Sequence, residues 1–364
     1  MDMRLVQSVI DSVYAGDPPR REDIEFLLRL RGDAEMELLF DFADQVKESF
    51  AGDGILLRGL VEFSNVCDGT CAYCGLNRAN SQIERYRLNE DQIMDCVRDI
   101  YACGVKTVVL QSGQNGRMDA NWLAGVIERI KATYDMAVTL SVGERSRDDY
   151  EIWKDAGADR YLLKIETTDP ELYKKLHPGM SFENRMRCLE HLAELGYQTG
   201  TGNLIGLRGQ SLRSLVDDIL FFKNGDFDML SVSAFIPHSS TELNAEPVGD
   251  LSMALKVLAV TRIVTRRAHM PASTAIGSLG GCDHTADALQ AGANVVMPNF
   301  SPISFRRLYE IYPGKKGLTQ SPIESIAAVE KIAISINGTL DYGRGDSLKL
   351  STRQHAFASK QQCS

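Results

Sequence analysis

The sequence predicts an α/β protein: a complete (β/α)8 TIM-type barrel with an N-terminal helical cap and a C-terminal extension. Three observations carry this. Between Gly54 and Asn299, apolar strand-like runs alternate with amphipathic helical patterns eight times, the count of a full barrel. Glycine closes helices just before the next strand, as in Ala156-Gly157-Ala158-Asp159 and Ala291-Gly292-Ala293-Asn294. Glycine, polar and charged residues gather after the strands, at the end where barrel proteins carry their chemistry.

Taken in order, residues 1–53 read as three helices. Pro18 and Pro19 separate the first from the second, Gly32 ends the second, and Asp33 caps a third whose Leu38, Leu39, Phe42 and Val46 recur at helical spacing. Residues 54–300 hold the strand-like runs Leu56–Phe63, Lys106–Gln111, Ala137–Ser141, Arg160–Ile165, Gln198–Leu204, Met229–Ala234, Met270–Ala275 and Ala293–Met297. Helical patterns lie between them. Asn89–Cys103 starts with Asn89 and Gln92 in capping-box spacing. Asn121–Tyr134, Ser146–Ala156, Ser181–Leu195, Ser211–Lys223, Leu251–Arg267 and Asp283–Gln290 follow. After Asn299 the alternation stops, so residues 301–364 form an extension with one helical stretch and a polar tail from 351.

Composition narrows the function classes. Hydrophobic content of 44% with 24% charged residues is that of a soluble globular protein. A net charge of −9 argues against nucleic acid as a partner, because such surfaces are basic. No run reaches the roughly 18 apolar residues of a membrane span. The first residues read as a charged amphipathic helix and not as a targeting segment, and the eight cysteines are scattered, which suits a reducing cytoplasm.

Cys67, Cys71 and Cys74 stand apart from the other cysteines. They form a Cys-x3-Cys-x2-Cys run within VEFSNVCDGTCAYCGLNRAN, directly after the first strand-like run. Three thiolates can cap three irons of a cubane and leave the fourth open, and an open position marks a catalytic metal site. Zinc, a disulfide or three unrelated core cysteines are the other readings. Zinc wants two separated ligand pairs and no second pair follows; Cys96, Cys103, Cys188, Cys282 and Cys363 are small buried or tail residues.

The other strand ends add polar groups: Gln111-Ser112-Gly113-Gln114, Ser141-Val142-Gly143-Glu144, Lys164-Ile165-Glu166-Thr167, Gly206, Pro237-His238, Ser273-Thr274 and Met297-Pro298-Asn299. Lys164 and Glu166 are two apart in a strand and share a face, either as a cavity-lining pair or as a rim ion pair. Arg185 offers a planar fork for a carboxylate, or is a solvated helix arginine.

The cysteine spacing resembles that of the radical S-adenosylmethionine (SAM) enzymes. Within them the chain resembles the FeFe-hydrogenase maturases of the HydE type, from about Phe26 to Lys315. The phrases carrying this are VEFSNVC…CAYCGL, RYRL, TVVLQSG, VTLSVGE, AGADRYLLKIET, SFENR, GLRGQ, DFDM, FIPH, PASTAIG, GANVVMPN and LYEIYPGK. The resemblance implies one 4Fe–4S cluster on Cys67, Cys71 and Cys74, with SAM on the open iron and reductive cleavage to a 5′-deoxyadenosyl radical. It puts Tyr73, Ser112, Gly113, Gln114, Ser141, Glu166 and Arg185 at SAM, and Lys164, Ser273, Thr274, Tyr309 and Tyr312 at substrate. It implies a role in maturing the hydrogenase active-site cluster from an iron–cysteine–CO/CN precursor. The partners implied are a reductant such as ferredoxin or flavodoxin and other hydrogenase maturases.

Three departures from the family pattern stand out. Gln114 replaces a frequent acidic residue, and Lys164 a frequent arginine, which keeps the charge but loses the fork. No cysteine lies between Cys282 and Cys363, so the second cluster of some relatives is expected to be absent. Two other readings stay open: a radical SAM carbon-skeleton mutase of the methylornithine synthase type, and an iron–sulfur scaffold or electron carrier without radical chemistry.

Overall fold

The computed structural model describes residues 2–350; the polar tail from 351 lies outside the described residues. The N-terminal helices are α1 (Met3–Ala15), α2 (Arg21–Leu28) and α3 (Asp33–Ala51). Asp2 caps α1 by accepting from the Arg4 amide at 2.9 Å. The expected first strand divides at Arg58 into β1 (Gly54–Leu57) and β2 (Gly59–Ser64). The backbone runs on through the division: Arg58 N donates to Val296 O at 3.1 Å and Leu60 N to Pro298 O at 2.9 Å. Only the partner on the other side changes.

The alternation then follows the sequence closely, except that the expected strand Arg160–Ile165 ends at Leu162, so Lys164 and Glu166 lie beyond it. It runs α4 (Glu90–Ala102), β3 (Thr107–Ser112), α5 (Ala120–Thr133), β4 (Ala137–Ser141), α6 (Arg147–Asp155) and β5 (Arg160–Leu162). The Asn89–Gln92 capping box opens α4, as its spacing predicts. Next come α7 (Pro170–Leu176), α8 (Phe182–Glu194), β6 (Gln198–Ile205), α9 (Leu212–Asn224), β7 (Met229–Ala234) and α10 (Leu251–Thr265). Helix α7 was not expected, although Asp169 before Pro170 is a start signal: the carboxylate accepts from Glu171 N and Leu172 N, and proline at the first position loses no bond.

The expected strand Met270–Ala275 is not one. His269 and Pro271 make single parallel bridges, to Met229 and Val295. Ser273 then caps the short helix α11 (Thr274–Gly277). Proline has no amide to donate, so the bonds to β7 stop at His269, although Ala272 N still donates to Val295 O at 2.9 Å on the other side. Helix α12 (Thr285–Gln290), the two-residue β8 (Val295–Val296), α13 (Ile303–Arg306), α14 (Pro322–Ser335) and β9 (Thr339–Asp341) complete the described chain.

Strands β2 to β7 form one parallel sheet in sequence order, and β8–β1–β9 a second. Leu60 also bridges Asn299. Parity on β2 is fixed by Gly59, where a Cβ would meet the Ile100 side chain of α4 at 2.5 Å. Residue 59 therefore faces the helical layer, and Leu60 and Glu62 face the opposite, inner side. The register pairs Glu62 with Gln111 and Gln111 with Ser141, so these three side chains share that inner side.

Helix α10 is buried on nearly every side, which its almost continuous apolar run requires. It packs on β7 inside and is covered by α3, α2 and α9 outside. At the other end of the strands, residues 344–349 are tied to the sheet. The buried Arg160 guanidinium donates to Arg344 O at 2.7 Å and Asp346 Oδ1 at 2.6 Å. Ser347 Oγ donates to Asp228 at 2.5 Å and Lys349 Nζ to Phe227 O at 2.7 Å. No described helix is long and apolar enough to cross a membrane.

Candidate active site

The cysteine loop leaves the end of β2 and is fixed by backbone bonds to three other parts of the chain and by one across itself. Asp68 N donates to Gln114 O (2.6 Å), Ala72 N to Leu176 O (2.8 Å), Gly75 N to Ile311 O (3.0 Å) and Arg78 N to Gly69 O (2.8 Å). Gly69 N donates to Cys67 Sγ at 3.3 Å. A Cβ on Gly69 would lie 3.2 Å from Cys67 Sγ and 3.7 Å from Cys71 Sγ, so the two sulfurs flank a space that any side chain would invade. A Cβ on Gly113 would lie 2.6 Å from Val66 O, which lets the end of β3 close against the loop only as glycine.

Two partly buried thiols, Cys67 and Cys71, flank a side-chain-free space, and Cys74 follows in the same loop; three thiols of one short loop are a donor set whose chemistry fits an iron–sulfur cluster. Burial pushes the Cys71 thiol up to about 12, reinforced by the neighbouring Cys67. Burial also raises Cys74 and Cys67. Without metal these groups are neutral thiols, so loading iron displaces protons.

Beside the loop stands a second polar group. Tyr73 OH lies 3.3 Å from Glu166 Oε1 and 3.2 Å from His177 Nε2. Burial and then the Arg185 charge lower His177 to about 3, so it is neutral near pH 7. Its Nδ1 faces Tyr173 O at 3.3 Å, which assigns the proton there and leaves Nε2 to accept. Lys164 Nζ is 2.9 Å from Glu166 Oε2. Glu166 itself has φ of +66°, held by Glu166 N to Gly202 O at 2.9 Å and Leu204 N to Glu166 O at 3.0 Å. A glutamate so placed is strained and persists because the surrounding ladder fixes it.

Arg185 is buried and pairs with Glu144, Nε to Oε1 at 2.6 Å, while Nη1 donates to Lys164 O. Its guanidinium lies 5.7 Å from the Tyr173 ring centroid. Glu144 also accepts from Asn184 Nδ2 at 2.8 Å, and its own amide donates to Gln114 Oε1 at 3.0 Å. The Gln114 side chain therefore serves the turn at Gly143-Glu144. Ser112 Oγ donates to Gly113 O at 2.8 Å, and Ser141 stands beside Gln111 on the inner side.

The residues expected at substrate form two groups. Gln111 Nε2 donates to Tyr309 OH at 3.2 Å, and Tyr312 OH lies 2.5 Å from Thr274 Oγ1. Ser273 is buried and caps α11. Among the described residues, no hydrogen bond or ion pair joins Lys164 to either group.

Sequence reasoning missed three things here. Glu144 was visible only as a strand-end residue, not as the partner of Arg185. Glu62 is 1% exposed and takes the Lys315 ammonium on Oε1 and the Asn299 amide on Oε2 at 2.8 Å. A charge at inward parity inside an apolar strand was its available signal. Arg85 donates to the carbonyls of Asn65 and Leu76 on either side of the cysteines. A cleft of about 470 Å3 opens between α8 and α9, lined by Phe182, Met186, Arg213 and Phe221 and reaching Thr168–Pro170.

Comparison with known proteins bears on all of this. The pattern of the radical SAM superfamily matches residues 61–222. The chain is 44% identical to the FeFe hydrogenase maturase subunit HydE of Thermotoga maritima, over 86% of this chain and 89% of that one. It is 28% identical to the 3-methylornithine synthase of Methanosarcina acetivorans, over 80% and 82%. The crystal structure of methylornithine synthase superposes with a TM-score of 0.78 at 24% identity, covering 92% of this chain and 97% of that one. The FeFe-hydrogenase maturase HydG does so with 0.78 at 17%, covering 92% and 76%. At these identities the two structures report on fold alone.

Proposed function

The chain belongs to the HydE family of the radical SAM superfamily, and from that premise we propose that it matures the active-site cluster of an FeFe hydrogenase. As a radical SAM enzyme its cofactors are a 4Fe–4S cluster and SAM. In our reading one cluster sits on Cys67, Cys71 and Cys74. When bound, the pair supplies reductive cleavage of SAM to a 5′-deoxyadenosyl radical. The observation that carries the reading is the adjacency of the cysteine loop to the Tyr73–Glu166–Lys164 group. A simple electron carrier needs the thiols but not a strained, buried carboxylate beside them.

The chain's own residues then divide the work. Glu166 and Arg185, with Ser112, Gly113, Gln114 and Ser141 along the strand ends, hold SAM; Tyr73 positions Glu166 from the loop. Lys164, Ser273, Thr274, Tyr309 and Tyr312 face an anionic organometallic substrate such as an iron–cysteine–CO/CN species. A barrel closed through eight positions supports this by excluding water from the interior. The bridges Met229–His269, Pro271–Val295 and Leu60–Asn299 favour that closure. The same reading gives a helical unit at 1–53, a barrel at 54–300 and an extension from 301, in a cytoplasmic protein reduced by a ferredoxin or flavodoxin and working beside other maturases.

Complementation of a cell lacking the maturase, scored by hydrogenase activity, tests the proposal, with a lysine-rearrangement assay in parallel. Rearrangement without complementation would replace it with the mutase reading. A variant sharpens the test. A charge-assisted hydrogen bond counts for about 1.5–3 kcal/mol. Lys164→Met is therefore expected to cut maturation by roughly tenfold to a hundredfold. Release of 5′-deoxyadenosine without substrate should fall less. Equal losses would assign Lys164 to Glu166 and SAM instead.

A further inference from the structure

Arg85 makes an unusual set of contacts. Nη1 donates to Asn65 O at 2.7 Å and Leu76 O at 2.8 Å; Nη2 donates to Asn77 O at 2.8 Å and Asn80 O at 3.2 Å. All four acceptors are backbone carbonyls. Asn65 lies just before Cys67, and the other three lie just after Cys74, so one planar fork ties the two ends of the cysteine loop together. No carboxylate pairs with this guanidinium among the described residues.

The surroundings make the clamp rigid. Asn65 Nδ2 donates to Glu84 O and Leu308 O, both at 2.7 Å, and Asn65 Oδ1 accepts from Tyr86 N at 2.7 Å. The residues on either side of Arg85 are thereby stitched to the loop's entry. On the exit side, Asn77 Oδ1 accepts from Ala79 N at 2.9 Å, and Asn80 Nδ2 donates to Gly75 O at 2.8 Å. The turns formed at Leu76 to Asn80 direct their carbonyls at Arg85. Lysine carries the same charge but lacks the fork that engages four acceptors.

The charge matters as well as the shape. Two guanidiniums stand by this site, Arg85 on the loop's own carbonyls and Arg185 on α8. Of these, Arg185 is paired with Glu144, whereas Arg85 faces only carbonyl dipoles. Among the described residues no ion pair of its own offsets its positive charge. A cluster's potential follows net charge and hydrogen bonding around it.

We infer that Arg85 is a positioning residue for the 4Fe–4S cluster. It clamps both ends of the ligand loop and supplies a fixed positive charge that makes the cluster easier to reduce. This rests on the assignment of the cluster to the cysteine triplet.

The two roles separate in two variants of the full chain, Arg85→Gln and Arg85→Lys, each reconstituted anaerobically beside wild type. Iron and sulfide per chain, iron loss to a chelator, and the midpoint potential by EPR-monitored titration are measured. Arg85→Gln is expected to lose iron at least tenfold faster and to titrate at a more negative potential. Arg85→Lys should lose iron nearly as fast while its potential stays near wild type. Wild-type iron retention and potential in Arg85→Gln would overturn the inference. Arg85→Gln is also placed in a Cys67/Cys71/Cys74→Ser background and melted. A small change there agrees with a cluster-directed role, and a collapse of the fold would make Arg85 merely structural. If wild type itself takes up no cubane, the cluster assignment fails instead.

Discussion

Cys71→Ala is expected to abolish 5′-deoxyadenosine formation. Loss of groups that merely support metal ligands costs roughly 10–100-fold, so loss of a ligand should exceed that. Cys71 has no substitute within the loop: Gly69 leaves an open space between its sulfur and that of Cys67, and the next backbone amide, Ala72 N, is bonded to Leu176 O at 2.8 Å. The loop is therefore held on a neighbouring helix even with the thiol gone, and the variant should fold. The reduced, reconstituted variant is assayed for 5′-deoxyadenosine and for an EPR signal that shifts with SAM. Cys96→Ala, on the apolar face of α4, serves as the control and should keep both. Unchanged SAM cleavage in Cys71→Ala would remove the cluster from the triplet.

The same loop shows which parts of the molecule its sequence discloses. Cys67, Cys71 and Cys74 were legible because a local spacing of thiols carries its own chemistry. Strands β3, β4, β6 and β7 were legible because half-buried or buried apolar runs ended at glycine or proline signals. The division of the first strand at Arg58 was not, since the backbone stays extended and only the neighbour changes. Nor was the loss of the strand at 270–275, where a ladder requirement on Pro271 and the cap at Ser273 override a run that reads as β. The partnerships were least visible. Arg185 read equally as a carboxylate partner or as a solvated helix arginine, because its partner Glu144 lies 41 residues away. Arg85 was part of a recognisable phrase, yet its acceptors are carbonyls, and every residue has one.

The second large effect concerns Lys315, which sits 253 residues from its partner. Its ammonium pairs with Glu62, both side chains are almost wholly buried at 4% and 1% exposure, and it lies 5.0 Å from the Tyr309 ring centroid. Breaking a buried pair from one side strands a charge and costs about 3–5 kcal/mol. Lys315→Met is therefore expected to lower stability by about that amount, read by denaturant unfolding. Glu62→Gln with Lys315→Met should recover part of the loss, because Asn299 still has an oxygen to bond and no lone charge remains. The damage should also reach function. Residues 308–312 bond the cysteine loop through Leu308 O to Asn65 and Ile311 O to Gly75, and bond the inner side through Tyr309 to Gln111. Lys315 is the buried anchor at the end of that segment, so its loss should loosen the tyrosines before the cysteines. Maturation should then fall further than substrate-free SAM cleavage, in the single variant more than in the double. If Lys315→Met unfolds like wild type and matures normally, the pair holds nothing in place, and the segment is fixed by its backbone bonds alone.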